Sequence, residues 1–134
     1  MFECCMYEHE RRVQTHALVV MPDHVHLLLT VLSQNGVEPP FYEIRKDIKS
    51  ASAHKIDKAL GRRGRVWLSE ACDRMPRADE FDRYKEYIIM NPVRAGLVEN
   101  PEDYEWLWYE EEVVRTCGRP RPGVCFGLIG SLLV

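Results

Sequence analysis

His24 and His26 flank a single valine inside the apolar stretch "ALVVMPDHVHLLLTV". Extended backbone sends alternate side chains to opposite sides, so the two histidines project together while Val25 faces the other way. Two imidazoles on one rigid face can share a divalent cation. Such a cation polarises a phosphoryl oxygen and neutralises charge developing on it, which suits phosphodiester chemistry. The same spacing also fits two polar residues near a hairpin turn at a sheet edge, and H-x-H is a short pattern that leaves both readings standing.

A second group lies in "EFDRYKEYIIMNP". Tyr87 and Asn91 are four residues apart and share a helix face, with Tyr84 one turn before Tyr87. A tyrosine oxygen can attack phosphorus and conserve the broken bond's energy as a phosphotyrosine. The Asn91 amide oxygen can serve the same cation. Against this, Phe81, Tyr84, Ile88 and Asn91 also form a helical stripe of the kind that packs a core.

The elements that must position these residues follow from periodicity and punctuation. "HALVVM" and "VHLLLTV" read as two strands joined by "PDH", a β-hairpin. Residues 2–12 look like a short helix, and "SQNGVEPP" is a loop. From Phe41 to Leu60, Phe41, Ile44, Ile48, Ala51, Ile56, Ala59 and Leu60 fall near helical spacing, with Gly61 as a stop. A basic, glycine-containing loop then leads into a short strand over Val66–Arg74. A second helix is expected from Asp79 to Met90, with acids in its first turn and Pro92 beyond its end. His16 and His54 have no partner at a meaningful spacing and read as surface or half-buried histidines.

With 134 residues, the chain suits one compact domain. Hydrophobic residues at 46% and charged residues at 29% describe a soluble globular protein. No apolar run approaches the ~20 residues of a membrane helix, and "MFECCMYEHERR" lacks the form of a signal peptide, so we expect a cytoplasmic address and no membrane partner. The five cysteines are odd in number and include no C-x-x-C pair, so they read as reduced thiols filling apolar space. A net charge of −3 argues against a generic nucleic-acid binder, yet residues 41–77 hold ten Lys/Arg against five Asp/Glu, and residues 99–112 hold seven acids and no base. On charge alone this describes a solvated helix face and a polar loop.

The blocks "VVMPDHVHLLL", "IKSASAHKIDKALG", "VWLSEACDR" and "YIIMNPVRAGLVENPEDYEW", in this order, resemble the single-tyrosine HUH transposases, especially the REP-associated tyrosine transposases, across residues 10–108. The resemblance implies an α+β, ferredoxin-like antiparallel sheet with helices on one face. It implies Mg²⁺ or Mn²⁺ held by His24, His26 and Asn91, and Tyr87 as the nucleophile with Tyr84 in reserve. It implies a single-stranded DNA partner with hairpin-flanked sites, cleaved and rejoined through a 5′-phosphotyrosine by a monomer or homodimer. The basic stretch then gains a purpose in contacting phosphates, with Lys46, Lys49, Lys55, Arg62, Arg63, Arg65 and Arg94 as candidates. Trp67 is left between base stacking and core packing, and Trp106 and Trp108 are assigned to packing.

The match breaks at its start. The family's first strand, central in its sheet, normally lies some tens of residues before the histidines, and this chain begins too late to hold it. Loss of a central strand leaves neighbours with unpaired backbone groups. A truncated gene product is the preferred explanation, ahead of a gap filled by a partner chain or by the apolar tail "VCFGLIGSLLV". The expected organisation is therefore a transposase-like domain over residues 1–115 and an atypical tail over 116–134. Two rival functions stand beside DNA strand transfer: an inactive relic that keeps DNA binding, and a small metal-dependent hydrolase with a water nucleophile.

Overall fold

The computed structural model describes residues 1–68, 73–111 and 124–131, the last segment as backbone. Helix α1 (Phe2–Met6) precedes a hairpin of β1 (Val13–Val20) and β2 (His24–Val31), joined through Met21, Pro22 and Asp23. Met21 donates its N–H to the His24 carbonyl at 2.8 Å, closing the turn. Then come α2 (Phe41–Leu60), β3 (Asp73–Arg74), α3 (Phe81–Ile89), α4 (Asn91–Arg94), β4 (Leu107–Tyr109) and β5 (Val124–Ser131). The strands form one sheet in the order β3-β5-β2-β1-β4, every pairing antiparallel. The fold is α+β, as expected.

Strand β2 is buried on both sides, which explains its nearly continuous apolar sequence. Val25, Leu27, Leu29 and Val31 join Val13 and Leu18 of β1 in a core completed by Ile44 and Ile48 of α2 and by Val66 and Trp67. Leu28 points the other way, into a second core with Ala17, Val19, Met21 and Ile88 of α3. The helices therefore divide between the two faces, α1 and α2 on one and α3 on the other, and this corrects the expectation of helices on one face. One apolar stripe per helix suffices for either arrangement. Only a strand without a polar side signals two covers.

Helix α2 runs over the range its periodicity predicts. Ile44, Ile48 and Ser52 recur every four residues on its buried side. Gly61 ends it in the left-handed conformation at φ 61°, where a side chain would be strained. Trp67 packs in the core, its indole N–H shared between the Lys49 carbonyl and Ser52 Oγ, both at 3.1 Å. The strand expected over Val66–Arg74 is described only in part: β3 covers Asp73 and Arg74, and residues 69–72 lie outside the described residues.

Helix α3 starts after a 3₁₀ turn over Ala78–Glu80 and stops at Ile89. Proline has no N–H to continue the ladder, and with Pro92 in its first turn α4 restarts one residue later. Buried Ile88 holds α3 to the sheet.

Beside β2 the sheet carries β5, paired antiparallel from His24↔Ser131 to Thr30↔Val124. Residues 124–131 of the apolar tail thus supply a strand to the sheet. Among the described residues, Cys4 and Cys5 are buried free thiols, and burial pushes Cys5 up to about 12, in keeping with inert fillers. No helix of the described residues is long and apolar enough to cross a membrane.

Ile88→Ala would remove the side chain that ties α3 to Ala17, Val19 and Leu28. We expect a loss of about 2–5 kcal/mol in urea unfolding, against less than about 0.5 kcal/mol for a change at exposed Lys58.

Candidate functional site

The alternation of β2 turns His24 and His26 to the α3 side of the sheet. Their rings meet edge to face with centroids 4.8 Å apart and an interplanar angle of 79°. The Tyr87 ring, presented by the last full turn of α3, stands against His26 in the same manner, with centroids 5.4 Å apart and planes at 81°. Arg94, the last residue of α4, lays its guanidinium carbon 5.3 Å from the centre of the Tyr87 ring. Tyr87 is 39% exposed, so the ring is held by neighbours and still open to solvent. Residues 24, 26, 87 and 94, distant in sequence, thus form one cluster. Asn91 opens α4 as a buried residue, between Tyr87 and Arg94 in the chain.

The two histidines differ in environment. His24 is partly exposed, and its Nδ1 lies 2.6 Å from Asp23 Oδ1. With Nδ1–H given to the carboxylate, Nε2 keeps its lone pair, the tautomer a cation requires. His26 is buried, and burial is the main force lowering its pKa to about 4; the neighbouring His24 adds to this, and Asp23 opposes it. At neutral pH His26 is therefore an uncharged imidazole, again the form that binds a metal. Among the described residues no group of three His, Cys, Asp or Glu side chains gathers to hold a metal ion. A pair of imidazoles suits a borderline divalent cation better than Mg²⁺, which favours all-oxygen shells.

Tyr84 has a different setting. Its ring lies between Arg74 and Arg83, whose guanidinium carbons are 5.6 and 5.4 Å from its centre. Both arginines also reach Glu80 Oε1, at 3.2 and 3.1 Å. The Arg77 backbone N–H holds the Glu80 carboxyl below its usual range, with the guanidinium groups helping. The cluster of Arg74, Arg83 and Tyr84 was not singled out in the sequence, because Arg74 and Arg83 are nine residues apart with no pattern linking them.

Of the cations expected to contact phosphates, Arg94 stands against Tyr87. Lys46, Lys49 and Lys55 belong to α2, whose core side covers the opposite face of the sheet from the histidines. Lys49 donates to the Leu68 carbonyl at 3.2 Å and lies over Trp67, and Lys55 pairs with Glu3 at 3.5 Å. Arg62, Arg63 and Arg65 are exposed in the loop after α2, with Arg62 at 3.7 Å from Asp57.

His16 corrects another expectation: it is fully buried. Its Nδ1 bonds Glu110, its Nε2 lies 2.8 Å from Thr30 Oγ1, and its ring stands edge to face on Phe81 at 5.0 Å. Lys85 of α3 donates to the Glu110 carbonyl at 2.8 Å. This network fixes the first turns of α3 as His26 contacts its last. A β-bulge between Thr15 and Ala17 brings the ring there, since Thr15 pairs with Leu29 and Ala17 with Leu28, leaving His16 as the extra residue. Exposed His54 is the surface residue expected.

A histidine with a lowered folded-state pKa weakens the fold on acidification, because the unfolded chain takes up its proton near pH 6.5 and the folded chain only near 4. In chelator, we expect the parent to lose about 1–2 kcal/mol more than His26→Gln between pH 7 and pH 5, read from urea midpoints at each pH. Equal losses would show that His26 protonates freely in the folded state.

Set against known proteins, the chain matches no family model, no curated protein and no solved structure.

Proposed function

We propose that the chain is a metal-dependent transposase of the single-tyrosine HUH type, which cuts and rejoins single-stranded DNA through a 5′-phosphotyrosine. The observation that carries this reading is the Tyr87 ring seated against His26, with His24 on the same strand face. The sequence blocks that resemble the family contribute these same residues, so pattern and geometry point the same way.

His24, His26 and Asn91 would hold Mn²⁺ or Mg²⁺, which supplies polarisation of a phosphoryl oxygen and neutralisation of its charge. The remaining steps belong to side chains. Arg94 neutralises a phosphate brought to the Tyr87 ring. The Tyr87 oxygen attacks phosphorus, the O–P bond forms, and the bond from phosphorus to the 3′-oxygen breaks. The phenol gives up one proton and the departing 3′-oxygen takes one up, so the bond energy stays in the protein–DNA ester for rejoining. Asp23 keeps His24 in its Nε2-accepting tautomer throughout. Tyr84, between two arginines, serves better as part of a phosphate-binding ledge than as the nucleophile.

The test is a denaturing gel after incubation with single-stranded DNA carrying hairpins and Mn²⁺. We expect a covalent adduct in the parent and in Tyr84→Phe, none in Tyr87→Phe, and at least about a tenfold reduction in His26→Ala. Retarded DNA without any adduct would replace this reading with a binding relic. Cleavage that survives Tyr87→Phe would replace it with hydrolysis by water.

A further inference from the structure

An apolar groove of about 610 Å³ opens beside the histidine hairpin, walled by Phe2, Met21, Pro22, Leu97, Tyr104 and Trp106. From the sequence, Trp106 is expected to pack. It is 47% exposed, and its recorded ring contact is an edge-to-face one with Phe2 at 6.3 Å. The Tyr104 hydroxyl is already committed, donating to the Val20 carbonyl at 2.8 Å, so that residue offers the groove its ring. We propose that this groove receives a nucleobase of the DNA strand, stacked on Trp106, from the strand whose phosphate is held at Tyr87 and which passes over the hairpin turn. This deepens the DNA-cleaving reading and rests on it.

Three observations favour a base as the occupant. The groove is covalently tied to the site on two sides. Pro22 is two residues from His24, hence within about 7.6 Å of it between Cα atoms, and Leu97 is three residues from Arg94, hence within about 11.4 Å. A strand with one phosphate at Tyr87 and Arg94 that passes over the hairpin turn therefore meets the groove at Pro22 and Leu97, with the indole on its α1 wall beyond. Next, the groove is lined by apolar groups and includes a half-exposed indole, the kind of ring on which single-stranded bases stack irrespective of sequence. Last, charge sets the direction. Glu99, Glu102, Asp103 and Glu105 occupy the chain around Tyr104 and Trp106, whereas Arg74, Arg83 and Arg94 surround the two tyrosines of α3. Phosphates are repelled at the groove and drawn to the tyrosines, so a nucleotide enters base first.

The experiment measures binding of the full chain, in chelator, to fluorescent oligothymidylate and to an abasic strand of the same length. We expect the parent to prefer oligothymidylate. Trp106→Ala should lose about 5- to 100-fold in affinity for it with unchanged affinity for the abasic strand, and Trp106→Phe should keep most of it. Unchanged abasic binding also serves as the control for folding. Parent-like oligothymidylate binding by Trp106→Ala overturns the base pocket, as does equal weakening on both strands. If the parent still forms its Tyr87 adduct in either case, the groove assignment fails alone. A parent that binds neither strand and forms no adduct removes both readings.

Discussion

Burial of β2 on both faces is the constraint on which the remaining structure depends. A strand covered on one side alone would be free to place polar residues along the other, and His24 and His26 would then be unremarkable. Here Val25, Leu27, Leu29 and Val31 are claimed by the α2 side, and Leu28 by Ile88 of α3. Each buried aliphatic side chain is worth about 1.5–3 kcal/mol relative to exposure. A one-residue slip would send the whole aliphatic set to the wrong cover and the imidazoles into the larger core. The register that satisfies the aliphatic residues is thus the register that brings both rings to α3. Positioning of the site follows from packing and needs no strained backbone.

The cover on the histidine side is pinned at both ends by polar rings. Toward its start, α3 meets His16, which joins Thr30, Glu110 and Phe81; toward its finish, it meets His26 through Tyr87. Ile88 supplies the apolar anchor between strand and helix. A helix of nine residues has little stability of its own, so these contacts decide where the tyrosines stand. The interruption at Pro92 then redirects the chain into α4, which returns Arg94 over the Tyr87 ring.

Local signals made the hairpin, α2 with its Gly61 stop, and α3 readable in the sequence, because each depends on periodicity and punctuation within a few residues. The common side of His24 and His26 was readable for the same reason, from the alternation of a strand. Other features depend on which residues meet across long separations. The division of helices between two faces was hidden because an apolar stripe does not say which face it covers. The burial of His16 was hidden by a bulge that shifts alternation by one residue between Thr15 and Ala17. The exposure of Trp106 was hidden because tryptophan is as much a core residue as a surface one by type, and the pairing of Arg74 with Tyr84 had no spacing to announce it.

The strand that flanks the histidine strand comes from the far end of the described chain, with Thr30 paired to Val124. Contacts of such long range form slowly, since much chain entropy is lost before they return any stabilisation. The hairpin can assemble early from neighbouring residues, but one margin of β2 stays bare while the intervening residues are still being made or ordered. A bare hydrophobic margin invites pairing with other copies, which makes solubility during synthesis, rather than stability of the finished fold, the property most exposed to changes in residues 124–131.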